Sequence, residues 1–346
     1  MNRLWVVLCA VVMVGGCVDG AATEPNVRPR DAQRAILDAF DDHQVVGGFS
    51  ASHGNKDVDD FLLDLVRNPD LPAAVDDIVI ECGNAFHQDL LDDYVNGADV
   101  DVRPVWRTTS QPECGFSVFV EQLVPLVRRI NEGLPDDRRL RVLAADPPLD
   151  WSRIDSVEEL ERLSDRDGFA ASLMADEVLA RGRKALMFFG INHMRHRPGT
   201  LVGQYEARGY DGLTFVIDDH QGFGNQDPGL RRRNDELEDR MADWPVPSVI
   251  EIENTWLADL DAPYFNDPLP GDDQGKGNPG VDGYLFVGRR DGLLREGRSA
   301  QAMTDETYLA QLDDIADRLG EPADSPWRTV RRREASEGVF LYEPGR

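Results

Sequence analysis

Short, continuously apolar segments separated by amphipathic stretches constrain this chain more than any other feature. They are Gln44–Phe49, DIVIEC at Asp77–Cys82, LRVLA at Leu140–Ala144, ALMFFG at Ala185–Gly190, LTFVI at Leu213–Ile217 and, more weakly, Ser248–Ile252 and Tyr284–Val287. Runs of this length, rich in Val, Ile and Phe and lacking polar alternation, belong to strands covered on both faces. The stretches between them have helical spacing: Val58, Phe61, Leu62, Leu65 and Val66 fall on one face. Helices are expected at Asp31–Asp41, Val58–Arg67, Gln88–Val95, Phe116–Glu132, Gly168–Arg181, Gly229–Met241 and Asp305–Leu319, with Asp57 and Thr304 as N-caps and Gly182 and Gly320 as stops. Strands alternating with helices predict an α/β fold, a mainly parallel sheet flanked by helices, with the site at the carboxyl ends of the strands.

Ligands of open α/β sheets bind outside those carboxyl ends, where helix N-termini present free N–H groups. Polar residues gather there in this sequence. His53 follows the first strand; Glu81 closes the second, with Asn84, His87 and Gln88 after it; Asp146 ends the third; Asn192 and His193 follow the fourth; Asp218, Asp219 and His220 end the fifth. Five of the six histidines, His53, His87, His193, His196 and His220, sit at or just after such ends. Two imidazoles with one or two carboxylates can hold a divalent metal, or act as base and acid around a polarised carbonyl. Taken singly each has a plainer role: a loop histidine is usually surface, and Asp146 before Pro147 and Pro148 shapes a turn. Glu81 is the exception, because a carboxylate inside IVIEC is costly to bury unpaired, and Glu81 with His193 is the leading pair.

The N-terminus carries a lone Arg3, an apolar run from Leu4 to Val14, and small residues ending at Cys17. That run is short for a bilayer span and has the layout of a secretory signal. Val14-Gly15-Gly16-Cys17 resembles a bacterial lipobox, so residues 1–16 are expected to be removed, Cys17 lipidated and residues 17–34 to form a tether. A single α/β domain is then expected over 35–346, interrupted by a Gly/Pro/Asp-rich loop at 266–282. The expected location is the periplasm or cell surface, membrane-anchored. A net charge of −27 repels phosphate backbones and argues against nucleic acid as a partner. Cys82 and Cys114 are the cysteines of the domain; an exported compartment permits a disulfide between them, and a buried free thiol at Cys82 fits its apolar strand equally well.

Three strand-end motifs in order carry a family resemblance. They are a glycine-rich turn ending in a histidine (GGFSASH, His53), a glutamate closing the next strand (IVIECGNAFHQ, Glu81), and Gly-x-x-His (Gly190-Ile191-Asn192-His193), with RVLAADPPLDW between the second and third. Over roughly residues 43–220 the chain resembles the superfamily that joins ChaN-type haem-binding lipoproteins, erythromycin esterases and TraB/Tiki-type proteins. The resemblance implies an α/β fold with a histidine and glutamate cluster at one sheet edge; its members include hydrolases, metal-dependent proteases and haem binders. The first motif departs from the family's Gly-Glu-x-His pattern, since Ser50 and Ala51 stand where Gly and Glu are expected, and neither replaces a carboxylate base.

Two functions from different classes follow. In the first, the chain is an exported lipoprotein whose pocket binds a metal ion, haem or a related small ligand through His53, Glu81 and His193. In the second, it is a hydrolase with Glu81 as base, His53 or His193 carrying the proton, and Asp146 or Arg107 positioning the substrate, with Asn192, His87 and His220 lining the site. The plainest alternative is a satisfied polar network without a ligand.

Overall fold

A computed structural model describes residues 28–49, 54–220, 235–253, 255–259, 280–294 and 297–330. The leader with Cys17, the turn residues Ser50, Ala51 and His53, most of the 266–282 loop and the first part of the expected 229–241 helix lie outside these residues. Eight strands form one sheet: β1 (Arg30–Asp31), β2 (Val45–Phe49), β3 (Asp77–Asn84), β4 (Arg141–Asp146), β5 (Ala185–Phe189), β6 (Thr214–Asp219), β7 (Ser248–Glu251) and β8 (Gly283–Phe286). Their spatial order is β1-β7-β8-β6-β2-β5-β3-β4. The six strands from β8 to β4 run parallel, and β7 and β1 add an antiparallel edge.

All seven expected strands are present. The two-residue β1 is too short for any periodic signal. Within the sheet the apolar residues divide by parity, as a pleat demands. Ile78, Ile80, Val142, Ala144, Leu186 and Phe188 join one core, whereas Val79, Leu143, Ala185, Met187 and Phe189 join the other. The first core is covered by the helices Ala32–Ala39, Lys56–Arg67, Gln88–Val95 and Val118–Glu132, and the second by Arg166–Leu173 and Leu201–Tyr205. A third apolar cluster packs the helix Glu306–Arg318 onto Phe116, Leu149 and Trp151, beyond the carboxyl end of β4.

Helix ends differ from the expected caps by a residue or two. Asn55 rather than Asp57 caps Lys56–Arg67, its side chain accepting from the Val58 N–H, and Asp305 rather than Thr304 caps Glu306–Arg318 by accepting from Tyr308. Gly182 ends its segment in the left-handed conformation at φ 64°. At the amino ends of the strands, fully buried Asp77 is held by both Arg141 and Arg183. Cys82 and Cys114 form a disulfide that ties β3 to the turn Pro112–Phe116.

Sheet order singles out one point at the carboxyl ends of the strands. From β3 the chain moves outward to β4, whereas from β5, the neighbour of β3, it moves across β2 to β6. Adjacent strands whose connections leave toward opposite edges open a crevice at their carboxyl ends. That point falls where Glu81 of β3 meets the Gly190–His193 segment after β5, the two joined by the hydrogen bond from the Gly190 N–H.

Candidate functional site at the β3–β5 crevice

A bulge aims Glu81. β3 pairs with β4 at Ile80–Ala144 and next at Asn84–Asp146, so three residues of β3 oppose one of β4. The register slips at Glu81 itself, and bulges are over-represented beside active sites. Glu81 is buried. Its Oε1 accepts from Arg166 Nη2 at 2.8 Å and its Oε2 from the Gly190 backbone N–H at 2.6 Å. Arg166 reaches back with Nε, 2.7 Å from Asp146 Oδ1. Asp146 also accepts from the Ser110 N–H at 2.8 Å and from its hydroxyl. Burial raises the Asp146 pKa, a pull that Arg166 and Ser110 only partly offset. Burial acts against the charge on Arg166, yet Glu81 and Asp146 outweigh it and hold the guanidinium even more firmly protonated than usual.

His193 lies on the one-turn helix Ile191–Met194, which starts after β5. Its Nε2 is 3.7 Å from Glu81 Oε1 and its Nδ1 lies 2.5 Å from Asp167 Oδ1. An ionised carboxylate only accepts, so Nδ1 carries a proton and Nε2 is the atom turned toward Glu81. Burial disfavours the imidazolium, but the hydrogen bond to Asp167 and the charge of Glu81 prevail and raise the His193 pKa above its usual 6.5. Arg166 and Asp167 are adjacent in the first turn of Arg166–Leu173, whose N-cap Asp165 accepts from the Gly168 N–H. One helix start therefore delivers both the guanidinium for Glu81 and the carboxylate for His193.

Strain marks the neighbouring strand end. Phe49, the last residue of β2, has φ 75°, a conformation rare and costly for an aromatic residue. Gly48 before it, at φ 118°, passes so near β6 that a Cβ would lie 2.3 Å from the Ile217 carbonyl oxygen. This strained end lies beside β5 and precedes His53 in sequence, which is outside the described residues.

The structure thus brings together Glu81, His193 and Asp146 and leaves Asn192, His220, Arg107 and His87 elsewhere, while His53 lies outside the described residues. Asn192 is exposed beside His193. His220 is buried between the Tyr284 hydroxyl at 2.7 Å and Glu238 at 2.9 Å. Arg107 pairs with Asp305 at 2.7 Å over the Tyr308 ring, and His87 lies with it in a separate cleft beyond β4. Arg166, Asp167 and Ser110 were not foreseen. Two of them sit in DRDG, a capping sequence whose lone signal is a helix start.

His196 belongs to a structural pair of contacts, with Glu206 at 2.6 Å and Asp282 at 2.9 Å. Burial opposes its charge, but Asp282 and Glu206 prevail and push its pKa up to about 9. A raised folded pKa contributes stability that is complete below the unfolded value near 6.5 and lost as pH rises through 9. At about 1.4 kcal/mol per pH unit, discounted for partial exposure, the contribution is on the order of 2 kcal/mol. Chemical denaturation at several pH values should show wild type losing its advantage over His196→Gln between pH 6.5 and 9; a constant difference would remove the charged imidazole from the account.

A divalent cation or a haem iron suits the described residues poorly. Both Glu81 oxygens already accept from donors, one of them the Arg166 guanidinium, which repels a metal ion. His193 Nδ1 is committed to Asp167. Among the described residues no group of three or more His, Cys, Asp or Glu is arranged to hold a metal.

No family model and no curated protein matches the chain. Two solved structures are similar in backbone. One is a Bacillus cereus protein at 10% identity and TM-score 0.49, covering 75% of this chain and 94% of the other. The second, described as a succinoglycan biosynthesis protein, is 10% identical with TM-score 0.41, covering 56% and 72%.

Proposed function

We propose that the chain is a hydrolase of small esters or amides, exported and anchored to a membrane through Cys17, in which His193 is the general base. The carrying observation is the Asp167–His193 pair, with Nε2 3.7 Å from Glu81. A nucleophile's base held in one tautomer by a carboxylate is the arrangement that hydrolytic enzymes reach on unrelated folds. Glu81, held by Arg166 and Gly190, supplies fixed negative charge that stabilises the imidazolium formed when His193 takes a proton from water. His53, which follows the adjacent strand β2 in sequence, is assigned the role of meeting the substrate carbonyl. The Cys82–Cys114 disulfide accords with an oxidising, extracytoplasmic compartment.

Activity on a panel of carboxylic esters and peptides, comparing wild type with Glu81→Gln, tests this assignment. Loss of the fixed charge is expected to lower kcat by about 10²-fold. Equal turnover by the two proteins, or none by wild type on any substrate, would sink it.

A further inference from the structure

A second cleft opens at the same sheet edge, beyond β4, with a volume of about 670 Å³. That is within the range of about 300–1,000 Å³ typical of small-molecule sites. Its walls come from four places: the turn after β3 with Phe86 and His87, the segment holding Arg103 and Arg107, the loop Leu149–Trp151 after β4, and the start of the helix Glu306–Arg318. Fully buried Asn84 joins three of them. Its Nδ2 donates to the Thr108 and Leu149 carbonyls at 2.8 and 3.0 Å, and its Oδ1 accepts from the Leu149 and Phe86 N–H groups. Trp151 Nε1 adds a bond to the Thr108 carbonyl at 2.7 Å. The walls are therefore set before any ligand arrives, which lowers the cost of binding.

The lining selects by chemistry. Phe86 is 52% exposed at the rim, although it is a large apolar residue. Both guanidiniums inside are paired, Arg103 bidentately with Asp101 and Arg107 with Asp305, and the Asp150 carboxylate leaves the lining with one negative charge in excess. Burial lowers the His87 pKa despite the nearby Asp150 carboxylate, so the ring is neutral at pH 7. The excess carboxylate in the lining and a net charge of −27 both disfavour a phosphate. What remains is an aromatic face beside planar, hydrogen-bonding groups held in fixed geometry. These recognise a ligand that is neutral, rich in hydroxyls and apolar on one face.

We infer that this cleft binds a neutral saccharide, one sugar ring resting on Phe86 and its hydroxyls meeting Asp150, His87 and the paired arginines. The assignment concerns binding and holds whether or not Glu81 and His193 hydrolyse an ester.

Calorimetric titration of the full-length chain with neutral trisaccharides (cellotriose, maltotriose, chitotriose), with trigalacturonate and with inorganic phosphate tests it. At least one neutral trisaccharide should bind saturably. Phe86→Ala, at an exposed position where folding is not at stake, should weaken that binding by about tenfold. Trigalacturonate should bind more weakly than the neutral sugars and phosphate should not bind. Glu81→Gln should leave saccharide affinity unchanged even where it abolishes turnover, which separates failure of the catalytic assignment from failure of this one. Absence of binding by every neutral sugar, wild-type affinity in Phe86→Ala, or preference for trigalacturonate or phosphate would each overturn the inference.

Discussion

Arg166→Met should destabilise the protein by about 3–5 kcal/mol, the range seen when one partner of a buried ion pair is removed. The guanidinium bridges Glu81 at 2.8 Å and Asp146 at 2.7 Å, and both carboxylates are buried. Methionine fills much of the arginine stem's volume, so the loss reports charge rather than a cavity. Without Arg166, Asp146 keeps only the Ser110 N–H and hydroxyl. Its pKa, already raised by burial, should rise further. A carboxyl whose folded pKa exceeds its unfolded value weakens the fold as pH rises through that folded value, and the penalty is relieved when it is protonated. Urea titrations should therefore show the deficit of Arg166→Met at its largest near neutral pH and shrinking toward acid. A deficit under about 1 kcal/mol would mean that the two carboxylates do not need this charge.

How far the sequence anticipated this site depends on which signal each residue carries. Strands β2 to β8 were legible because runs such as IVIEC and ALMFF have no other comfortable place than a doubly covered sheet. Glu81 stood out for the same reason, as a charge inside such a run. His193 was found by its position after a strand, not by any spacing to a partner. Arg166 and Asp167 were missed because their partners lie 85 and 26 residues away, and a helix start in an acidic, arginine-rich chain offers nothing that separates a bridging arginine from a solvated one. His220, equally strand-terminal, turned inward to Tyr284 and Glu238, which no local pattern distinguishes from a turn toward solvent. The bulge at residues 81–83 was invisible as well, since the apolar run reads the same whether or not its register slips.

The His193–Asp167 pair carries the other large expected effect. His193→Gln keeps a hydrogen-bonding side chain but removes the proposed base, and kcat should fall by about 10²–10⁴-fold. Asp167 acts through His193 and is a positioning residue, so rate alone would not separate its role from a packing defect. The pH profile does. The base must be unprotonated, so activity should rise with pH through the His193 pKa, which Asp167 and Glu81 hold above the usual 6.5 against the effect of burial. Asp167→Asn deletes the hydrogen-bonding carboxylate and its charge. The rising limb should then move to lower pH while the plateau drops, because the imidazole loses both its fixed tautomer and the charge that supports the imidazolium. Asp167→Glu should restore part of the plateau and return the limb toward its wild-type position. A plateau that drops with the limb unmoved would make Asp167 a packing residue only, and a limb unmoved in every variant would place the base somewhere other than His193.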